Sequence, residues 1–318
     1  MKYFFLLLFA FSFFSSEAQY RRKNQLLKNL ELPPSPTKNA MEVGGFLQLG
    51  SYQGDLNPSN FTFISTDPGI GFFIKRNPVT LLPNNTFRRS RIVRRVFNAE
   101  IFGAYQKLSF KDANINDLRG INPFCYSSNL RRNLGFSTNI LQLGMDLEYN
   151  PFIIGYQNYF APYAVAGFSG IYFNPKTTYT LDGVTKTVNL RKLQTEGINY
   201  FNISSVVNLG IGFRFVSEQG YTIGIELFQN FTQTDYLDDV SRFYPADFSS
   251  LTPEQILLSA RGIELDKDFI ASGYSSAWLK NNPEIVKKYA GKRRGDSYDK
   301  DAFWNLKISY SQILKLRR

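Results

Sequence analysis

The stretch that decides the fold runs from residue 220 to residue 244 and reads GYTIGIELFQNFTQTDYLDDVSRFY. Apolar side chains such as Ile223 alternate in its first half with polar or small ones such as Glu226, which is the two-residue period of a strand with unlike faces. A short turn joins it to another alternating run, residues 203–216, so the two runs form a predicted hairpin. A long polar segment follows and ends only near Asp301. This asymmetry between a short turn and a long loop is typical of a transmembrane β-barrel in an outer membrane.

The composition supports membrane crossing by strands. The chain has 318 residues, of which 43% are hydrophobic and 16% aromatic, and its formal net charge is +11. Aromatic residues favour strands and form the girdles of outer-membrane barrels. After the N-terminus no window reaches about 18 uninterrupted apolar residues, the length that a helical span needs. We therefore expect any crossing of the membrane to be made by strands.

The N-terminus predicts export. Lys2 precedes an apolar run, residues 3–14, and the motif Ser16-x-Ala18 is typical of a signal-peptide cleavage site, so residues 1–18 are predicted to be a secretory signal. Residues 19–39 are basic and then proline-rich, which predicts a periplasmic lead-in. Cys125 is the only cysteine, so an internal disulfide is excluded.

The remaining chain, residues 40–318, predicts an all-β fold, an up-and-down antiparallel transmembrane barrel of about eight strands. The longest connection, residues 235–301, is predicted to face outward and to contain a helix, since it includes LTPEQILLSARGIEL. A soluble β-sandwich is the alternative, but the polar face of these strands carries glycine and acids, as a filled barrel interior would. The predicted strands cover residues 40–52, 69–76, 96–110, 141–149, 160–174, 203–216, 220–231 and 302–313.

The strand phase places a set of charged residues on the lumen side: Glu42, Glu100, Asp146, Glu148, Arg214, Glu226 and Lys307. An eight-stranded barrel is just wide enough for side chains to fill, and buried charges must be paired. These residues are therefore predicted to form a plug, and a water-filled channel is disfavoured. A catalytic or conducting set is the alternative.

Several kinds of chemistry are disfavoured. The chain has no histidine, which removes the usual general base and the commonest metal ligand. The acids Asp235, Asp238 and Asp239 resemble a calcium loop only weakly, because the spacing differs and the glycine is missing. We predict no enzymatic activity, no metal and no cofactor.

Positive charge is concentrated at the predicted periplasmic end. It lies in the lead-in, at the C-terminus and in the connection after the second strand, where we predict a partner-binding patch of Arg88, Arg89, Arg91, Arg94 and Arg95. Such a rim favours an acidic partner or lipid headgroups. Nucleic acid is not an expected partner of an exported barrel.

The end of the opening stretch carries a family resemblance. TDYLDDVSRFY resembles the TDYLDDVSG-x-Y signature of the PorG-like outer-membrane β-barrels, components of the type IX secretion and gliding-motility machinery. Four further segments resemble the family in the same order along the chain: MEVGGFLQLGSYQGDLNP, APYAVAGFSGIYFNPK, LQTEG and NLGIGFRF. Arg242 departs from the pattern, because the family has glycine there. The matching signature residues are Thr234, Asp235, Tyr236, Leu237, Asp238, Asp239, Val240, Ser241 and Tyr244.

The resemblance implies a non-catalytic outer-membrane component that docks a periplasmic ring of lipoproteins and takes part in protein secretion or gliding. It assigns no individual role to the signature residues. Two alternatives stay open from the sequence: an outer-membrane enzyme that modifies lipid, and a surface adhesin or receptor built on the outward loops.

Overall fold

The computed structural model describes residues 40–56, 65–76, 97–112, 132–150, 160–216 and 221–315. The predicted signal, the lead-in, Cys125 and the arginine patch at residues 88–95 lie outside the described residues. None of the helices in the described ranges is long and apolar enough to span a membrane.

Nine strands account for most of the described chain. Eight of them correspond to strands that the alternation predicts, although β4 begins six residues earlier and β5 ends seven residues later than predicted, and β6 is additional. Their bounds are β1 Ala40–Gln53, β2 Asp67–Arg76, β3 Phe97–Lys111, β4 Gly135–Tyr149, β5 Phe160–Leu181, β6 Val184–Asn189, β7 Ile203–Val216, β8 Tyr221–Thr232 and β9 Ala302–Lys315.

The sheet closes on itself as an antiparallel barrel. Each barrel strand pairs with its neighbours in the chain, skipping only β6, and the circle is completed by pairing of β1 with β9 and of β4 with β5. Closure leaves no free edge among the eight described barrel strands, which lets a barrel sit in lipid with both sides of each strand hydrogen-bonded. The prediction of an eight-stranded up-and-down barrel is confirmed.

The outside of the barrel is an apolar band. On β8 the outward-facing residues run from Tyr221 to Phe231, ten residues apart. At about 3.4 Å per residue and a tilt of about 40°, this distance corresponds to a band roughly 26 Å tall. That height matches the hydrocarbon layer that such barrels cross, so this protein resides in the outer membrane. Exposed apolar residues around the band include Leu47, Phe72, Leu143, Met145, Phe168, Ile225 and Tyr310.

The two ends of the barrel differ. Both termini of the described chain lie at one end, called here the terminal end, because Ala40 pairs with Lys315. The other end carries the 232–302 connection and is called the long-loop end. In outer-membrane barrels the long loops are extracellular and the short turns periplasmic, so the long-loop end faces outward.

The fifth strand is longer than its sequence predicts. The prediction ended it at residue 174, but β5 continues to Leu181 and turns into β6. The turn residues Asp182 and Gly183 both have positive φ, 50° and 72°, as a two-residue hairpin turn requires. The resulting hairpin of β5 and β6 projects beyond the barrel rim. A short helix, α1 Leu190–Leu193, follows.

The long connection folds into helices. The sequence predicted a surface helix, but the chain breaks into short segments, and the side chains of Leu257 and Leu258 are fully buried. A capping box between Thr252 and Gln255, with Pro253 at the first position, starts the first of them. The segments are α2 Pro253–Ser259, a 3-10 helix Arg261–Leu265, α3 Lys267–Ala271, α4 Ser276–Asn281 and α5 Pro283–Lys287.

These helices pack on the projecting hairpin as one unit. Tyr179 of β5 donates a hydrogen bond of 2.6 Å to Glu254, and the Arg261 guanidinium donates one of 2.6 Å to Thr177 Oγ1. Residues 176–202 and 233–301 are called here the cap. A hydrophobic core of its own holds it together: Tyr179, Tyr244, Phe248, Ile256, Leu257, Leu258, Ala260, Ile263, Phe269, Leu279 and Val286.

Candidate functional site

The lumen contains the charged residues that strand phase placed there. Six of them are at most 7% exposed: Glu100, Asp146, Glu148, Arg214, Glu226 and Lys307. Asp146 accepts a hydrogen bond of 2.9 Å from Asn208 Nδ2. Glu42 is only partly buried near the terminal end and accepts a hydrogen bond from Ser311 Oγ.

Lys75 belongs to the same network, although the sequence analysis did not include it. Its Nζ lies 2.8 Å from Glu148 Oε2 and 3.1 Å from Glu100 Oε2. Lys75 is also the direct cross-strand partner of Glu100 in the register of β2 and β3. The alternation of β2 was sufficient to place Lys75 in the lumen, because Ile74 faces outward while Phe73 and Lys75 face inward.

The network continues around the barrel. Lys307 Nζ lies 3.2 Å from Glu100 Oε1 and 2.8 Å from Glu226 Oε2, and Arg214 is paired with Glu148. Three buried cations therefore oppose three buried glutamates, and the core of the network is neutral. A buried pair that loses one partner leaves an uncompensated charge, at a cost of about 3–5 kcal/mol.

Aromatic side chains fill the space beside these charges. Lys307 Nζ lies 4.3 Å from the centre of the Phe46 ring. Gly71 leaves room for that ring, because a Cβ there would lie 2.2 Å from Phe46 Cζ. Phe46, Phe73, Phe102 and Ala104 form one buried cluster of the interior. The described side chains thus plug the lumen.

The family signature lies where the cap enters the barrel mouth. Asp238 Oδ2 accepts a hydrogen bond of 2.6 Å from the Tyr52 hydroxyl, which also lies 2.8 Å from Asp301 Oδ1. Asp301 Oδ2 accepts from the Leu237 backbone N–H at 2.8 Å. One tyrosine on β1 therefore joins both ends of the long connection.

The two aspartates have raised pKa values. Burial is the main cause for both, the Asp301 charge raises the pKa of Asp238 further, and the Asp235 charge does the same for Asp301. The Tyr52 hydroxyl carries one hydrogen and can donate it to one carboxylate at a time. The hydroxyl and the two carboxyl groups therefore form one buried polar cluster at the junction of the barrel and the cap.

Asp239 forms a second buried junction. It has a positive φ of 68° and accepts hydrogen bonds from the Tyr200 hydroxyl, at 2.6 Å, and from the Thr195 hydroxyl. Arg294 donates to its backbone oxygen. Burial raises the pKa of Asp239 to about 6 although Arg294 opposes the shift. The left-handed backbone of the signature is thus at Asp239.

Glu196 holds the next two signature positions. Its carboxylate accepts hydrogen bonds of 3.0 Å from the backbone N–H groups of Ser241 and Arg242, and it pairs with Arg294 at 3.1 Å. Thr195 and Glu196 come from the LQTEG segment, so two sequence pieces that share the resemblance meet here. Arg242 is not among the described residues with positive φ, and its backbone therefore does not need the glycine of the family pattern.

The other signature residues divide between two cores and one cleft. Leu237 and Val240 pack into the barrel mouth, and Tyr244 packs into the cap core. Thr234 Oγ1 accepts from the backbone N–H of Tyr236. Asp235 is buried and lines a surface cleft.

The three signature acids do not converge on one point. Asp238 faces Tyr52, Asp239 faces Tyr200, and Asp235 faces the cleft. In the described part of the chain no group of three or more candidate ligands is placed to hold a metal ion. Residues that the sequence analysis missed, above all Tyr52, Glu196, Arg294 and Asp301, make Asp238 and Asp239 structural.

Comparison with known proteins adds only a distant likeness. No family model and no curated protein matches the chain. Among solved structures, Ail of Yersinia pestis is 6% identical with a TM-score of 0.35, covering 86% of this chain and 98% of that one. Neisserial surface protein A is 8% identical, with a TM-score of 0.35 and coverage of 86% and 98%. A major outer membrane protein of Thermus thermophilus is 12% identical, with a TM-score of 0.33 and coverage of 87% and 100%. At these scores, the fold assignment rests on this chain's own strand pairing.

Proposed function

We propose that this outer-membrane barrel is a non-catalytic component of a protein-secretion or gliding assembly and docks a periplasmic lipoprotein ring through its terminal end. The plugged lumen is the observation that carries the proposal. An interior filled by paired charges at the described residues disfavours the passage of solutes and favours a function at the two ends of the barrel.

The chemistry of the described residues supports a non-catalytic role. The chain has no histidine. Two buried acids of the signature are engaged in holding the cap: Asp238 accepts from Tyr52, and Asp239 accepts from Tyr200. These contacts give both side chains a structural role at the junction of the barrel and the cap. A lipid-modifying enzyme is the alternative, and release of acyl chains from lipopolysaccharide by the purified barrel would favour it.

The choice of the terminal end rests on charge and on the family resemblance. The arginines of residues 88–95 belong to the connection that leaves β2 at Arg76, which lies at the terminal end. A dense cationic rim favours an acidic partner through long-range attraction and also favours anionic lipid headgroups. The resemblance of TDYLDDVSRFY supports a ring lipoprotein as the partner.

Charge reversal tests the docking surface. Replacing Arg88, Arg89, Arg91, Arg94 and Arg95 by Glu is expected to abolish co-purification of periplasmic lipoproteins with the barrel from native membranes. The matched control reverses five exposed lysines of the cap, with the same change in charge, and should leave recovery unaffected: Lys186, Lys192, Lys267, Lys280 and Lys292. Unchanged recovery with the arginine variant, in a barrel that still inserts and folds, would contradict the proposal.

A surface receptor is the second candidate. The observation that favours it is the cleft at the long-loop end, which is lined by residues of the signature. The two roles use opposite ends of the barrel and are compatible.

A further inference from the structure

The cleft lies beside the barrel wall at the long-loop end. It has a volume of about 560 Å³ and is bounded by the start of β7, the end of β8 and the cap segments around residues 234–242 and 297–300. Ile203 and Ser205 contribute to it from the outward face of β7. It therefore opens toward the surroundings of the barrel and away from the plugged lumen.

The height of the cleft relative to the membrane follows from the strand register. Phe231 is the last apolar outward residue of β8, and it pairs with Val207. The next outward positions are Gln233 and Ser205, which are joined by a backbone hydrogen bond of 3.0 Å and line the cleft. The cleft thus begins one outward position above the apolar band, at the level where lipid headgroups lie.

A buried carboxylate lies in the cleft. Asp235 is 3% exposed, and neither of its oxygens has a hydrogen-bond partner of normal geometry in the described chain. Burial raises the pKa of Asp235 to about 7, and the nearby Ser241 hydroxyl only partly opposes this shift. A buried acceptor without a well-placed donor is costly, so a ligand that donates hydrogen bonds to Asp235 would be favoured in the cleft.

Aromatic rings form the wall. Tyr200 and Tyr236 stack with ring centres 4.3 Å apart and planes inclined by 8°. Phe201 lines the cleft and is 84% exposed. A large aromatic side chain held in water beside the headgroup layer is typical of a contact surface.

The cleft has an acidic side chain at its base and basic side chains at its mouth. Asp235 and Ser241 are buried, whereas Arg242 and Lys300 are exposed at the mouth. In the salt bridges of the described residues, neither cation is paired with a carboxylate. A simple cation would meet the two basic side chains at the mouth, and a simple anion would meet Asp235 inside. The lining instead fits a ligand that has neutral hydroxyl donors together with acidic groups.

We propose that this cleft binds the saccharide headgroup of an outer-leaflet glycolipid, with sugar hydroxyls donating to Asp235, a sugar ring against Phe201, and acidic substituents beside Arg242 and Lys300. A glycolipid places its sugars at the height of the cleft while its acyl chains lie against the apolar band. This site is at the outer face and is independent of the docking proposed for the terminal end.

The test measures binding to the full barrel in phospholipid nanodiscs. The three probes are rough lipopolysaccharide, which carries lipid A and core sugars, lipid A alone, and the core oligosaccharide released from the same preparation. We expect rough lipopolysaccharide to bind at least tenfold more tightly than either other probe. Phe201→Ala should weaken it about tenfold, and Asp235→Asn about 10- to 100-fold. Leu265→Ala, which removes an exposed apolar side chain that does not line the cleft, and Lys287→Ala are the controls and should bind like the wild type.

Three results would overturn the proposal. Equal binding of the cleft variants and the wild type would exclude the site. If lipid A alone bound as tightly as rough lipopolysaccharide, recognition would belong to the acyl chains and phosphates. If the free core oligosaccharide bound as tightly as rough lipopolysaccharide, the ligand would be a soluble glycan. Retention of the heat-modifiable, compact form on electrophoresis shows that the barrel of each variant is folded, and hydrogen exchange in residues 237–241 equal to that of the wild type shows that the cap is folded. Because Phe201 is exposed, its truncation leaves the packing intact.

Discussion

Replacement of Tyr52 by Phe removes one oxygen atom from the junction between the barrel and the cap. The Tyr52 hydroxyl lies 2.6 Å from Asp238 and 2.8 Å from Asp301, and all three side chains are buried. The phenyl ring keeps its contact with Phe136, at 4.8 Å between ring centres, so the hydrophobic packing is preserved. The variant therefore isolates the hydrogen bonds that join β1 to both ends of the long connection.

The expected magnitude follows from the contacts. The hydroxyl donates its hydrogen bond to a carboxylate, and a hydrogen bond to a charged group contributes about 1.5–3 kcal/mol. The loss is therefore about 1.5–3 kcal/mol in the free energy of opening the cap. That corresponds to a roughly 10- to 150-fold faster amide exchange, because 1.36 kcal/mol is a factor of ten.

Hydrogen exchange followed by mass spectrometry measures this change segment by segment. We expect faster exchange in residues 237–241 and in the helices of the cap, with unchanged protection in the strands. Tyr298→Phe is the matched control, since Tyr298 is 92% exposed and should exchange like the wild type. Equal protection of residues 237–241 in Tyr52→Phe and wild-type protein would refute the role of this junction.

Three further predictions concern the lumen, pH and the cap core. Lys75→Met should lower the free energy of unfolding by about 3–5 kcal/mol, and adding Glu148→Gln should restore part of that loss. Denaturant titration of the refolded barrel measures both variants, and additive losses would contradict a coupling between Lys75 and Glu148. The pKa of Asp239 rises from 3.8 in the unfolded chain to about 6 in the folded one, so its protonation favours folding: the advantage is complete below pH 4 and is lost as pH rises through 6. The free energy of opening the cap, measured by hydrogen exchange and corrected for intrinsic exchange rates, should therefore be about 3 kcal/mol greater below pH 4 than at pH 8, since two pKa units correspond to about that energy. Greater protection at pH 8 would contradict this prediction. Leu257→Ala should destabilise the cap by about 2–5 kcal/mol while the barrel keeps its heat-modifiable form, and simultaneous loss of both would show that they fold as one unit.

The barrel strands were predictable because their information is local. Alternation over a few residues determines which side chains face lipid and which face the lumen, and each strand carries it independently. The seven charged residues assigned to the lumen needed nothing more than strand phase. Lys75 was within reach of the same reasoning, because it alternates with Ile74 on a short strand.

The cap was less predictable because its contacts are long-range. Asp238 is 186 residues from Tyr52 in the chain, and Asp239 is 44 residues from Thr195. No local pattern states that these residues meet. The strand extension beyond residue 174 also depends on the cap, because the projecting part of β5 packs against helices that come some eighty residues later.

The family signature shows both what the sequence predicts and what it does not. Its resemblance to a family marked residues 234–244 as important, but assigned them no roles. In the fold they divide into acids that tie the cap to the barrel, apolar residues that close the mouth, and Asp235, which lines an outward cleft. The same few residues therefore support structure and a candidate binding surface, which sequence pattern alone could not separate.

Site-specific photo-crosslinking in living cells tests the central claim most directly, because it asks which end of the barrel meets the periplasmic partner. A benzophenone amino acid would replace Arg91 in one strain and Lys280, an exposed cap residue, in another. The account predicts a crosslinked lipoprotein from position 91 and none from position 280. A lipoprotein captured from position 280 and not from position 91 would contradict it.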